Sequence, residues 1–246
     1  MPLKKYMKAG QKISLRVLTE ATDGPGHLDA LTGHLHSLGR LTLDLTIPYR
    51  TTAGEGYPFK QGMKFEIMTN AMGIGILLTG QLEKMVGENR IRIKHNNDLQ
   101  MIRRRLSPRL DVSLEVGYTK GGGKLRSFRA QWKKYVRMID ATEDPGKLPK
   151  VPMKKVNISA SGIGMMVAPP IEQADIGMFL IKLQGEEKPI CALAEVIWKS
   201  NQPEEGKFSA GFQFLNIMDR DKKLIEAFVA KGDSYIKDDE EDEIEN

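Results

Sequence analysis

Arg103-Arg104-Arg105-Leu106-Ser107-Pro108-Arg109 and, further along, Asn157-Ile158-Ser159-Ala160-Ser161-Gly162-Ile163-Gly164 are the two stretches from which the rest of the chain can be read. The first is an arginine cluster, and behind it Leu110 to Tyr118 alternates apolar and polar residues as a half-buried strand does. In the second, Asn157 and Ser159 stand two apart and so share one face of a strand. Gly162 permits a turn or a close backbone approach that a Cβ would obstruct.

Working forward from these stretches, the strand pattern continues to Phe214, with Leu125 to Trp132 read as a further strand after a Gly121-Gly122-Gly123 hairpin turn. Asp140 to Lys155 holds Pro145, Gly146, Pro149 and Pro152 and is expected to be an extended loop. Asp219 can cap a closing helix in which Leu224, Ile225, Phe228 and Val229 form an apolar stripe that ends near Gly232. Working backward, Lys12 to Leu18, Leu41 to Ile47, Lys64 to Met68, Ile74 to Leu82 and Arg90 to Lys94 are candidate strands separated by turn formers. The expected fold is mainly β: two β-barrel domains, the second closed by a C-terminal helix. Its divisions are residues 1–98, 99–232 and an acidic disordered tail at 233–246.

The 246 residues suffice for two modest cores, and 40% hydrophobic with 28% charged residues is the balance of a soluble globular chain. The start, Met1-Pro2-Leu3-Lys4-Lys5, is followed by no apolar segment, and a cytoplasmic protein is expected. Seven acidic residues in Asp238-Asp239-Glu240-Glu241-Asp242-Glu243-Ile244-Glu245 bring the net charge from +12 in the body to +5. A basic body suits nucleic acid, an acidic membrane surface or a small phosphorylated ligand.

Enzyme signatures are missing from the sequence. Gly121-Gly122-Gly123-Lys124 is followed by Leu125 where a phosphate loop uses Ser or Thr, and Gly73-x-Gly75 has Leu78 where a dinucleotide fingerprint needs glycine. His34 and His36 join no ligand motif with His27 or His95, so no metal is expected. Cys191 lies in an apolar run and reads as buried. No nucleophile elbow or paired carboxylates stand out, so no catalytic residue is assigned.

The two opening stretches together resemble the PilZ family, whose signature is Arg-x-x-x-Arg followed by Asp/Asn-x-Ser-x-x-Gly. Arg105 and Arg109 match the first element; Asn157, Ser159 and Gly162 match the second. Ala194-Glu195-Val196-Ile197-Trp198 and Ala210-Gly211-Phe212-Gln213-Phe214 look like the family's late barrel strands, and the resemblance spans roughly residues 100 to 230. It implies a cyclic di-GMP receptor, not an enzyme, with no other cofactor. Arg105 and Arg109 would clamp phosphate or the guanine edge, because a guanidinium forks onto both and stacks on purines. Asn157 and Ser159 would bond the purine edge; asparagine there gives up a charge-assisted bond, so an aspartate is expected to bind more tightly. An arginine at Arg104 goes, in this family, with two stacked ligands per chain. The N-terminal barrel ahead of the arginines resembles the flagellar-brake type, which implies an interdomain rearrangement on binding and a target in motility or exopolysaccharide production.

Met72-Gly73-Ile74-Gly75-Ile76 echoes Ser161-Gly162-Ile163-Gly164-Met165 but has no arginine cluster before it and is assigned no ligand. Two other readings remain open. One is a single-stranded nucleic-acid module that uses Trp132 and Tyr135 amid Arg126, Arg129, Lys133, Lys134 and Arg137. The other is a PilZ-like interaction module that binds no nucleotide.

Overall fold

The computed structural model describes residues 3–18, 26–49, 57–103, 107–121 and 125–242, with side chains in the last helix described as far as Gly232. Its contacts divide the chain into two units, the first mainly residues up to Leu106 and the second mainly those from Ser107.

Alternating burial, an apolar residue inward at every second position, builds the first unit. Its strands are β1 (Lys12–Leu18), β2 (His27–Leu38), β3 (Thr42–Thr46), β4 (Lys64–Ala71), β5 (Ile74–Gly87), β6 (Arg90–His95) and β7 (Gln100–Arg103). Ile13, Leu15, Leu31, Leu43, Leu45, Phe65, Ile67, Ile76, Ile91 and Ile93 are fully buried between them. β1 pairs with both β2 and β4, β3 with β2 and β6, and β5 with β4 and β6, all antiparallel, so six strands close into a barrel. β7 adds to the start of β5. β2 and β7 are not among the strands expected from sequence. β2 carries Gly33, three histidines and few β-branched residues, and it is a strand because β1 and β3 supply its ladder.

The second unit consists of β8 (Leu110–Lys120), α1 (Leu125–Ala141), β9 (Met153–Ser159), β10 (Gly162–Val167), β11 (Ile176–Lys182), β12 (Ile190–Lys199), β13 (Phe208–Met218) and α2 (Asp219–Asp242). Its six strands also close into an antiparallel ring. Numbered one to six along the chain, the strands of both barrels follow the order 1-2-3-6-5-4. The second core centres on Tyr118, Phe179 and Phe212, whose ring centroids lie 4.9 to 5.2 Å apart.

Three expectations are corrected here. Leu125 to Trp132 is not a strand but the first half of α1: Phe128, Trp132, Val136 and Ile139 are buried at spacings of three and four, a helical period that outlasts the short window read as a strand. Gly122 and Gly123, expected in a hairpin turn, lie outside the described residues. The loop expected over Asp140 to Lys155 is shorter at both ends, since Asp140 and Ala141 belong to α1 and Met153 to Lys155 to β9; between them one 3₁₀ turn forms at Pro145–Lys147, in which Asp144 accepts a bond from the Gly146 amide. α2 does not stop at Gly232 but runs to Asp242, into the acidic tail expected to be disordered. Gly232 is a close-packed position, since a Cβ there would collide with Leu110 of β8. Ile225 and Val229 carry the buried face of α2, while Leu224 sits at its exposed edge. No described helix is long and apolar enough to cross a membrane.

His95, at the end of β6, is buried in the first barrel, and its Nδ1 accepts the Asn97 amide at 3.1 Å. Burial holds its imidazole below the ordinary 6.5, outweighing the attraction of Asp98. The folded state therefore keeps His95 neutral while the unfolded chain takes up a proton, so stability is full above about pH 6.5 and falls as pH drops from there toward the lower folded value. Calorimetric melts at about pH 7.5 and 5.5 should show a lower transition at the acid end. His95→Gln should flatten that difference; an unchanged difference would assign it to other groups.

Candidate ligand-binding site

β9 and β10 form a tight hairpin: Ser159 pairs with Gly162 across the two-residue turn Ala160-Ser161. Val156 and Ile158 are buried, and the strand period puts Asn157 and Ser159 on the opposite, outer side. The two differ in environment. Asn157 is half-exposed, whereas Ser159 is 3% exposed, its hydroxyl 3.2 Å from the Ser161 hydroxyl and 3.4 Å from the Gly162 carbonyl that accepts from it. Ser159 thus shapes the hairpin. Gly162 has no unusual φ; it is glycine because a Cβ there would collide with the Phe212 carbonyl oxygen of β13. Only a glycine lets β10 lie that close to β13 at this point.

Register assembles the rest. Asp111 of β8 lies opposite Asn157, Asn157 opposite Gly164, Gly164 opposite Gly211, and Gly211 opposite Trp198 of β12. Directly paired residues face the same side, so these five form one row across the outer face, about 19 Å over four interstrand steps. At one end Asn157 Nδ2 donates to Asp111 Oδ1 at 2.9 Å. At the other, a register shift between Val196 and Trp198 sets the indole over Gly211, where a Cβ would collide with it, and leaves Trp198 42% exposed. Between them Gly164 has no atom nearer than 3.7 Å to where its Cβ would be. The result is a shallow glycine trough with an aromatic surface at one end and a carboxamide–carboxylate pair at the other. Such a surface can stack a planar base and hydrogen-bond its edge.

Arg109 is exposed and immediately precedes β8, two residues from Asp111. Arg103 is exposed at the end of β7. Arg104 and Arg105 lie outside the described residues. Of the residues singled out in the sequence, the structure therefore brings Asn157, Ser159 and Gly162 into one hairpin and Arg109 to the start of its neighbouring strand. Asp111, Gly164 and Gly211 were not singled out, and Trp198 was read only as part of a strand. Their shared face follows from register across five strands, which no local pattern carries.

The register also reverses one expectation. Aspartate at position 157 would stand directly opposite Asp111, and like charges across a strand pair are destabilising; Asn157→Asp is expected to weaken the site, not tighten it. Trp132 is 2% exposed and its Nε1 donates to the Cys191 carbonyl at 2.9 Å, so it cannot serve as the stacking surface of a nucleic-acid module. Cys191 is itself buried, and burial, with a smaller contribution from Asp221, pushes its thiol up to about 12.

A family model described as PilZ domain matches residues 103–231, over half of the chain. Among solved structures, the chain is similar to the Bacillus subtilis inhibitor of motility MotI/DgrA (16% identity, 92% of this chain and 97% of that one, TM-score 0.36). It is also similar to YcgR from Escherichia coli in complex with c-di-GMP (13%, 94% and 88%, TM-score 0.37) and to the K. pneumonia MrkH–c-di-GMP complex (14%, 92% and 90%, TM-score 0.34). No curated protein matches the sequence.

Two glycines of β10 separate packing from binding. Gly162→Ala should lower unfolding stability by about 1–3 kcal/mol, since the new methyl meets a backbone carbonyl that cannot swing aside. Gly164→Ala should leave urea-denaturation stability nearly unchanged because a Cβ there makes only ordinary van der Waals contacts, none nearer than 3.7 Å. Equal losses in the two variants would contradict this account of the hairpin.

Proposed function

We propose, on the premise that this chain belongs to the PilZ family, that it is a cytoplasmic receptor for cyclic di-GMP and not an enzyme. The observation that carries this reading is the row on the outer face of the second barrel, with Asn157 beside Asp111 at one end, Trp198 at the other, and Arg109 at the start of β8. Cyclic di-GMP offers two phosphates and two guanines. Arg105 and Arg109 grip phosphate oxygens or the guanine O6/N7 edge, and a guanidinium also stacks on a purine, which lysine does not. Asn157 meets the guanine edge through its carboxamide, while Ser159 and Gly162 hold the hairpin that presents it. Trp198 supplies a stacking face above the glycine trough.

Arg104 adds a third guanidinium, and with it the site holds two mutually stacked ligands: a stacked pair brings four phosphates together, and the extra cation neutralises charge and covers an outer purine face. Calorimetric titration of the intact protein with cyclic di-GMP, at low and high salt, with an oligonucleotide as control, tests the whole reading. Saturation near two ligands per chain is expected, persisting at high salt where polyelectrolyte binding collapses. Arg105→Ala and Arg109→Ala should each weaken binding roughly tenfold or more, with lysine giving no full rescue. Arg104→Leu should bring the stoichiometry toward one. Unaltered affinity in the Arg105→Ala, Arg109→Ala double variant would overturn the receptor reading. A wild-type stoichiometry of one would overturn only the role of Arg104.

The arginines lie along the chain where the first unit gives way to the second. Ligand capture there replaces mutual repulsion of guanidinium groups with phosphate contacts, and so favours one arrangement of the units over others. The output is regulation of a downstream target, such as motility or exopolysaccharide production. Small-angle scattering should change on saturation with cyclic di-GMP; superimposable curves would remove the rearrangement from this proposal.

A further inference from the structure

We infer that Asp111 is a specificity-determining residue that reads the donor edge of a guanine, supplying from β8 the carboxylate that Asn157 lacks. The inference rests on the receptor reading above and concerns which base the site accepts.

Asp111 is exposed on the outer face of β8, directly opposite Asn157. Asn157 Nδ2 donates to Asp111 Oδ1 at 2.9 Å, and among the described residues the Asp111 side chain has no other hydrogen bond. That bond has two consequences. It fixes the carboxamide, so that Asn157 Oδ1, the acceptor, faces away from Asp111. It also leaves Asp111 Oδ2, a full-strength anionic acceptor, open in the same row. The two free oxygens make a pair of acceptors, while one of the two N–H groups of Asn157 is spent on Asp111.

Guanine presents N1–H and the N2 amino group side by side on one edge, two donors that suit two acceptors. Adenine has an acceptor at N1 and a bare C–H at position 2, so the same pair of oxygens would face a lone pair and no donor. A carboxylate acceptor roughly doubles the strength of such a bond. Trp198 and the glycine trough stack any purine; base choice therefore falls to the Asp111–Asn157 end. Asp111 stands two residues beyond Arg109, so the phosphate-binding group precedes the strand that carries the base-reading one.

The test is calorimetric titration of the full chain with cyclic di-GMP and with cyclic di-AMP, for wild type, Asp111→Ala, Asn157→Ala and the double variant, each first checked for an unshifted melt. Asp111→Ala is expected to lose roughly tenfold or more in cyclic di-GMP affinity, as loss of a charged hydrogen-bond partner does, with little change toward cyclic di-AMP. The same loss should appear when Asp111→Ala is introduced into the Asn157→Ala background. If Asp111→Ala binds as wild type does, or if its effect vanishes in that background, Asp111 reads no base and only orients Asn157. Either result overturns this inference and leaves the receptor reading standing, whereas a wild type that binds no cyclic di-GMP overturns both.

Discussion

The close approach of β10 to β13 is the constraint on which the candidate site depends. Where Gly162 faces Phe212 there is no room for a Cβ, and the Phe212 carbonyl that would block it belongs to the ladder that closes the barrel. Because β10 is held there, Gly164 falls opposite Gly211 and the two glycines leave a trough instead of a ridge of side chains. The indole of Trp198 can then lie against the backbone of Gly211, and Asn157 is placed opposite both Gly164 and Asp111. One steric requirement in a strand thus sets the shape of a surface five strands wide.

The two barrels share a strand order but not a site. The echo between Met72-Gly73-Ile74 and Ser161-Gly162-Ile163 joins strands that are not equivalent: the first lies in the hairpin of the fourth and fifth strands of its barrel, the second in that of the second and third. Their glycines also do different things. Gly73 turns the chain with φ of +80°, next to Met72 at +50°, whereas Gly162 is a ladder residue chosen for lack of volume. Only its position in the barrel gives each glycine-isoleucine pair its role.

The aromatic residues divide in the same way. Trp132 and Trp198 look alike in sequence, each beside lysines. Trp132 faces inward on α1 and bonds a buried carbonyl, so it stabilises the core; Trp198 is turned outward by a bulge and rests on glycine, so it is available to a ligand. Burial likewise makes Cys191 a packing residue and no nucleophile.

The sequence by itself determined the fold class and the family. Alternation in Lys12–Leu18, Leu110–Lys120 and the later strands is a local property of a half-buried strand, and the spacing of Arg105, Arg109, Asn157, Ser159 and Gly162 is local to two short segments. Where the signal was short or mixed it misled: Leu125 to Trp132 has too few residues to separate a period of two from one of 3.6, and β2 has little propensity of its own. What only the tertiary structure decided is the company these residues keep. Asp111 meets Asn157, and Trp198 meets Gly211, through antiparallel register between segments far apart in the chain. Register is set by how the inward faces of all six strands pack together, so the partner of a residue on the outer face is fixed by side chains on the other side of the sheet.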